Sequence, residues 1–118
     1  MSITTNHERD NIFRLDVSGV LTRADFEKSE VVLAGEIPHL GLLRLLFVLK
    51  DFEGWEADTN WNDLTFYVKH GENVERIAIV GDARWESESM MFAAAGLRRA
   101  PVKFFVNDLA SARHWLSA

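Results

Sequence analysis

The sequence contains no cysteine, which removes disulfides and thiolate metal sites as ways of holding a fold and suits a reducing compartment. Proline is scarce: Pro38 and Pro101 are the two present, and both mark expected element boundaries. No Lys/Arg run exceeds Arg98-Arg99, and the formal net charge is −5. Nucleic-acid binders carry a basic excess or stripe, so no nucleic-acid partner is expected. The longest apolar stretch, over 40–49, is broken by Arg44 and falls well short of the roughly twenty residues of a membrane-spanning helix. The first residues lack the basic-then-apolar order of a signal peptide. A cytoplasmic location is expected, with peripheral membrane contact left open.

Catalytic patterns are equally sparse. His7, His39, His70 and His114 are scattered and fit no metal-ligand spacing. Ser18, Ser87 and Ser89 lack a nucleophile elbow. Gly81 stands alone and forms no phosphate-cradling loop. No catalytic residue, metal or cofactor is expected, and the chain is read as non-enzymatic.

What is present is a globular pattern. The chain has 118 residues, 47% of them hydrophobic, which fits one domain over 1–118 with its own core. Short strands are expected over 3–5 and 12–17, joined by a polar turn over 6–11 as an antiparallel hairpin. Thr22 caps a helix carrying Phe26, Leu33 and Ile37 on one face, and Pro38 is expected to end it. The nearly continuous apolar run over 42–49 predicts a strand covered on both faces, as in a parallel sheet. A loop over 51–54 precedes a helix over 55–70, with Gly71 at its C-terminal end. A strand over 77–80, a helix over 83–95 capped by Asp82, a strand over 102–106 and a final helix capped by Asn107 complete the order. Strands alternating with helices predict an α/β fold: a mixed five-stranded sheet, parallel beyond its N-terminal hairpin, with four helices.

The aromatic residues stand out. Trp61, Leu64 and Val68 form a stripe at helical spacing that would face the sheet. Trp55, Phe66 and Tyr67 then point elsewhere on that helix and need a second contact: a ligand, a membrane, a second subunit or simply neighbouring core. Trp85, Met90 and Phe92 repeat the theme, with Met suited to adaptable apolar surfaces. Arg98 and Arg99 come next, as helix-end cations or as a weak contact with anionic lipid. Asp51, Phe52, Glu53 and Gly54, with Gly81 and Asp82, would form the rim past the C-terminal ends of two neighbouring strands, where ligands bind in open α/β sheets. The carboxylates of Asp51, Glu53 and Asp82 either cap and order loops, the favoured reading, or share acid/base work.

Several of these runs together resemble the SpoIIAA-like family. They are Gly19-Val20-Leu21-Thr22-Arg23-Ala24-Asp25-Phe26, then Asp51-Phe52-Glu53-Gly54-Trp55 with Trp61-Asn62-Asp63-Leu64 and Lys69-His70, and last Glu75-Arg76-Ile77-Ala78-Ile79-Val80-Gly81-Asp82 with Trp85-Glu86. The resemblance spans nearly the whole chain. It implies a STAS-type fold akin to CRAL-TRIO lipid-binding domains. STAS-type anti-sigma-factor antagonists carry a phosphorylatable serine after the central strand. Here that stretch holds only the hydroxyl of Thr59 among acidic neighbours, which speaks against a phosphorylation switch. The expected function is binding of an apolar or lipid-like ligand beneath mobile aromatic helices, with Gly54 and Gly71 as hinges. The alternative is a homodimeric or regulatory protein contact through the same helix face.

Overall fold

The computed structural model describes residues 2–57, 73–93 and 101–118. Five strands form one sheet in sequence order β1-β2-β3-β4-β5. β1 (Ile3–Arg9) pairs antiparallel with β2 (Ile12–Leu21). β3 (Leu43–Trp55), β4 (Val74–Gly81) and β5 (Val102–Val106) then add in parallel. The mixed sheet with its antiparallel edge is as expected.

The hairpin is longer than its hydrophobic pattern suggests. Asn6 to Arg9 continue β1 instead of turning, because an edge strand can hold its ladder while its polar side chains face water. The turn is reduced to Asp10 and Asn11, with Asp10 at φ 46°, a left-handed conformation that Asp tolerates.

α1 (Arg23–Leu40) starts where the sequence places it. The Thr22 hydroxyl accepts from the Asp25 N–H at 3.2 Å. Its end differs from expectation, since Pro38 lies inside the last turn. There the missing N–H forfeits a single hydrogen bond, and Leu33 and Ile37 hold the turn against the sheet. Tertiary packing therefore outweighs the local preference. The helix closes at Gly41, φ 77°, whose N–H donates to the Ile37 carbonyl at 2.8 Å.

Beyond β4, Asp82 caps a 3-10 turn (Ala83–Trp85), which leads into α2 (Glu86–Phe92). The single helix expected over 83–95 is thus a short turn followed by a short helix. α3 (Leu109–Ser117) is capped by Asp108 and not by Asn107. Asn107 instead turns the chain at φ 49° and donates its N–H to the Gly81 carbonyl at 2.9 Å. Among the described residues there are three α-helices rather than four. The helix expected over 55–70 falls, from residue 58 on, outside the described residues, and its first residue, Trp55, is strand.

Each sheet face carries its own core. α1 and α2 cover one, where Leu33 and Ala93 meet Leu15, Val17, Leu45, Ile77 and Ile79. α3 covers the other, where Ala112 and Leu116 meet Ile12, Leu46, Ala78 and Val80. Two arginines fasten α3. Arg44 donates to the Leu116 and Ala118 carbonyls and pairs with Glu75 at 2.8 Å. Arg76 donates to the Trp115 carbonyl at 2.6 Å and lies over the Trp115 ring.

Candidate functional site

The second half of β3 builds the site. A regular strand alternates faces with a period of two, so residues three apart would point to opposite sides. The ladder with β2 runs Val17↔Leu49, Gly19↔Phe52 and Val20↔Gly54, with register shifts between them. Each shift inserts one extra residue in β3, a bulge that re-aims the side chains beyond it. Asp51 at φ 53° and Gly54 at φ 112° carry the unusual backbone. The two bulges bring Leu49, Phe52 and Trp55 onto the same face, the one covered by α1 and α2. Asp51, Phe52, Glu53 and Gly54 are therefore bulged strand and not the loop expected from their composition.

On that face the aromatics converge. Phe52 meets Trp55 and Trp85 edge-on, each at 4.9 Å between centroids. Trp55 lies 6.0 Å from Trp85 and 5.6 Å from Phe92, and Phe92 lies 5.1 Å from Phe26 of α1. Edge-to-face packing at such distances is favourable beyond the buried area alone. The 3-10 turn presents Trp85. Asp82 Oδ1 accepts from the Arg84 N–H at 3.0 Å, and the Arg84 guanidinium lies over the Trp85 ring. The Trp85 ring is 3.6 Å from where a Cβ on Gly54 would be.

Beside this cluster an apolar cleft runs between the sheet and the two helices. Leu45, Phe47, Ile77 and Ile79 form its floor, and Phe26, Leu33 and Phe92 are among its walls. With its mouth it encloses about 650 Å³, yet the centre of a water molecule can range over only about 40 Å³. It is a narrow slot, with room for a few waters as it stands. Among the described residues, the polar side chains in its lining are Ser29, Glu30 and Ser89, and Trp55 lines it as well. Ser29 donates to the Phe26 carbonyl at 2.6 Å. Trp55 Nε1 and Ser89 Oγ are buried without a hydrogen-bond partner. A buried unpaired polar group costs about 1–3 kcal/mol, so two in one cleft are informative.

The structure brings together Phe52, Gly54, Trp55, Trp85 and Phe92 of the expected site. Met90 is half-buried and does not line the cleft. Gly81 serves close packing, since a Cβ there would lie 3.0 Å from the Leu49 Cβ. Asp51, Glu53 and Asp82 are exposed. Among the described residues, no group of three or more His, Asp or Glu is arranged to hold a metal ion. Trp61, Phe66, Tyr67, Arg98 and Arg99 lie outside the described residues. Sequence reasoning missed Ser89 and the α1 wall. The available signal was a serine on the core stripe of α2, between Trp85 and Phe92 at helical spacing.

Among the described residues, the carboxylates whose ionisation the fold shifts are not part of the cleft lining. The Ser2 N–H and hydroxyl, both at 2.8 Å, hold Asp25 below the usual carboxylate range. The Arg44 guanidinium does the same for Glu75, and the Ser111 hydroxyl and N–H for Asp108.

Comparison with known proteins agrees with this architecture. The family model described as SpoIIAA-like matches residues 12–117. The fold is similar to the crystal structure of an uncharacterized protein with a SpoIIAA-like fold from Shewanella loihica, with a TM-score of 0.73 and 24% identity over 97% of this chain and 91% of that one. No curated protein matches the sequence at a significant level. Among the described residues, no helix is long and apolar enough to cross a membrane.

Proposed function

The chain belongs to the SpoIIAA-like family, and from that premise we propose that it is a non-enzymatic binding module for an apolar or lipid-like ligand. The observation that carries this reading is the cleft between the sheet and α1/α2, walled by aliphatic and aromatic side chains and bordered by the Phe52–Trp55–Trp85–Phe92 cluster. Small-molecule sites have this make-up: a concave apolar wall with a few polar groups that fix orientation. The slot is narrower than a bulky ligand needs, so occupancy requires α1 or α2 to move outward from the sheet. Both helices present apolar side chains to that space and could part from it without breaking a sheet ladder.

Native mass spectrometry of gently purified protein, followed by organic extraction, tests the reading. The expected result is a mass above that of the bare chain, with an extractable apolar molecule accounting for the difference. A bare mass at dimer size, with vesicles retaining none of the protein, would turn the reading toward protein–protein contact through the same side of the sheet.

A further inference from the structure

Two buried serines line the cleft, one on each helix above the sheet. Ser29 of α1 donates its hydroxyl to the Phe26 carbonyl of its own helix at 2.6 Å. Ser89 of α2 is 1% exposed, and its Oγ has no hydrogen-bond partner. The helices are also fastened differently. Ser2 donates its N–H and its hydroxyl to Asp25 Oδ2 in the first turn of α1, both at 2.8 Å. Glu56 Oε1 accepts from the Arg23 N–H at 3.1 Å, and the Ser18 N–H donates to the Ser2 carbonyl at 2.9 Å, which joins this knot to β2. α2 has seven residues and no side-chain cap at its start. Its Phe92 packs against Trp55 at 5.6 Å and against Phe26 at 5.1 Å.

A hydroxyl buried without a partner penalises the state that buries it. With α2 seated on the sheet, Ser89 carries that penalty, and water relieves it once the helix lifts. Moving α1 outward pulls on the Ser2–Asp25 and Arg23–Glu56 hydrogen bonds and relieves nothing at Ser29, which is already paired. The apolar contacts of Phe92 and Ala93 with the core keep α2 seated, so the hydroxyl shifts a balance without reversing it. We propose that α2 is the moving lid of the cleft and α1 its fixed wall, and that the unpaired Ser89 hydroxyl weakens the closed state and so sets how often the lid opens.

As the gate of a ligand site this rests on the ligand-binding reading, and the test keeps the two apart. Native-state amide exchange is followed by NMR in wild type, Ser89→Ala, Ser87→Ala and Asp25→Asn, with the Ile79 amide of β4 as the reference for global unfolding. A seven-residue helix off the sheet does not hold its turns, so the α2 amides exchange when it lifts. Ser87 is exposed on the same helix, so Ser87→Ala measures the helix preference of alanine alone. In wild type the α2 amides should exchange before that of Leu33 in α1. Relative to Ile79, Ser89→Ala should slow α2 exchange at least about fivefold more than Ser87→Ala does. Asp25→Asn should speed exchange in the first turn of α1 and leave α2 as in wild type. Equal slowing by the two serine variants, or α1 exchanging before α2, would overturn the lid assignment. The on-rate of 2-octanone should fall in Ser89→Ala by the factor by which α2 exchange slows, because entry uses the open form. An on-rate unchanged in that variant would refute α2 as the route of entry. Exchange as expected with no 2-octanone bound would leave the lid motion standing and refute the ligand-binding reading alone.

Discussion

Gly54 shows how much can depend on a single backbone angle. At φ 112° it occupies a conformation that L side chains rarely adopt. It also stands between Phe52 and Trp55, the residues its bulge brings to one face. Gly54→Ala should therefore lower the unfolding free energy by about 1–3 kcal/mol, read as a reduced denaturant midpoint at constant slope. An unchanged midpoint would show that β3 accommodates an ordinary residue there. Gly81 is constrained differently, because an added Cβ would press against the Leu49 Cβ at 3.0 Å. Gly81→Ala should cost about 1–3 kcal/mol through overpacking, and a stability equal to wild type would mean that β3 and β4 can part slightly. At this scale the sequence was informative about residue types. The convergence of Phe52, Trp55, Trp85 and Phe92 was foreshadowed by the excess of aromatics. Ser89 was passed over because a lone serine announces nothing until its helix face is known.

The elements explain which boundaries were readable. β5 falls where hydrophobicity places it, whereas β4 begins at Val74, three residues ahead of the apolar run over 77–80 that marks it in the sequence. β3 ran past its expected end because two bulges convert its alternation to a period of three over Leu49, Phe52 and Trp55, which reads as loop or helix in any scheme built on a period of two. α1 overran Pro38 because a proline in a final turn gives up one hydrogen bond while the core-facing side chains stay in place. α3 depends on its fastenings. Leu116 is fully buried beneath it, so Leu116→Ala should destabilise by about 2–5 kcal/mol. Acid should weaken the same scaffold. Asp25, Glu75 and Asp108 titrate lower in the folded chain than when unfolded, so the unfolded state binds protons more readily. The stability they contribute is present above about pH 4–5 and is lost as pH falls through the folded-state values. Thermal melts between pH 7 and pH 3 should show a falling midpoint in acid, with a smaller fall in Asp25→Asn. A midpoint independent of pH in wild type would contradict the assignment.

Among the described residues, the two faces of the sheet are covered differently. On one side α3 lies on Leu46, Ala78 and Val80, with Arg44 and Arg76 holding its last turn. On the other, α1 and α2 leave a slot above Leu45, Ile77 and Ile79, with an indole N–H and a hydroxyl unpaired at its wall. On the proposed reading, one layer stays closed and the other admits a guest. Isotope-labelled Leu, Ile and Val methyls distinguish the two layers in one spectrum. On adding 2-octanone, Leu33, Leu45, Ile77 and Ile79 should shift progressively and saturably, while Leu46, Val80 and Leu116 stay in place. Equal shifts on both sides, or shifts confined to the α3 side, would contradict a ligand site beneath α1 and α2.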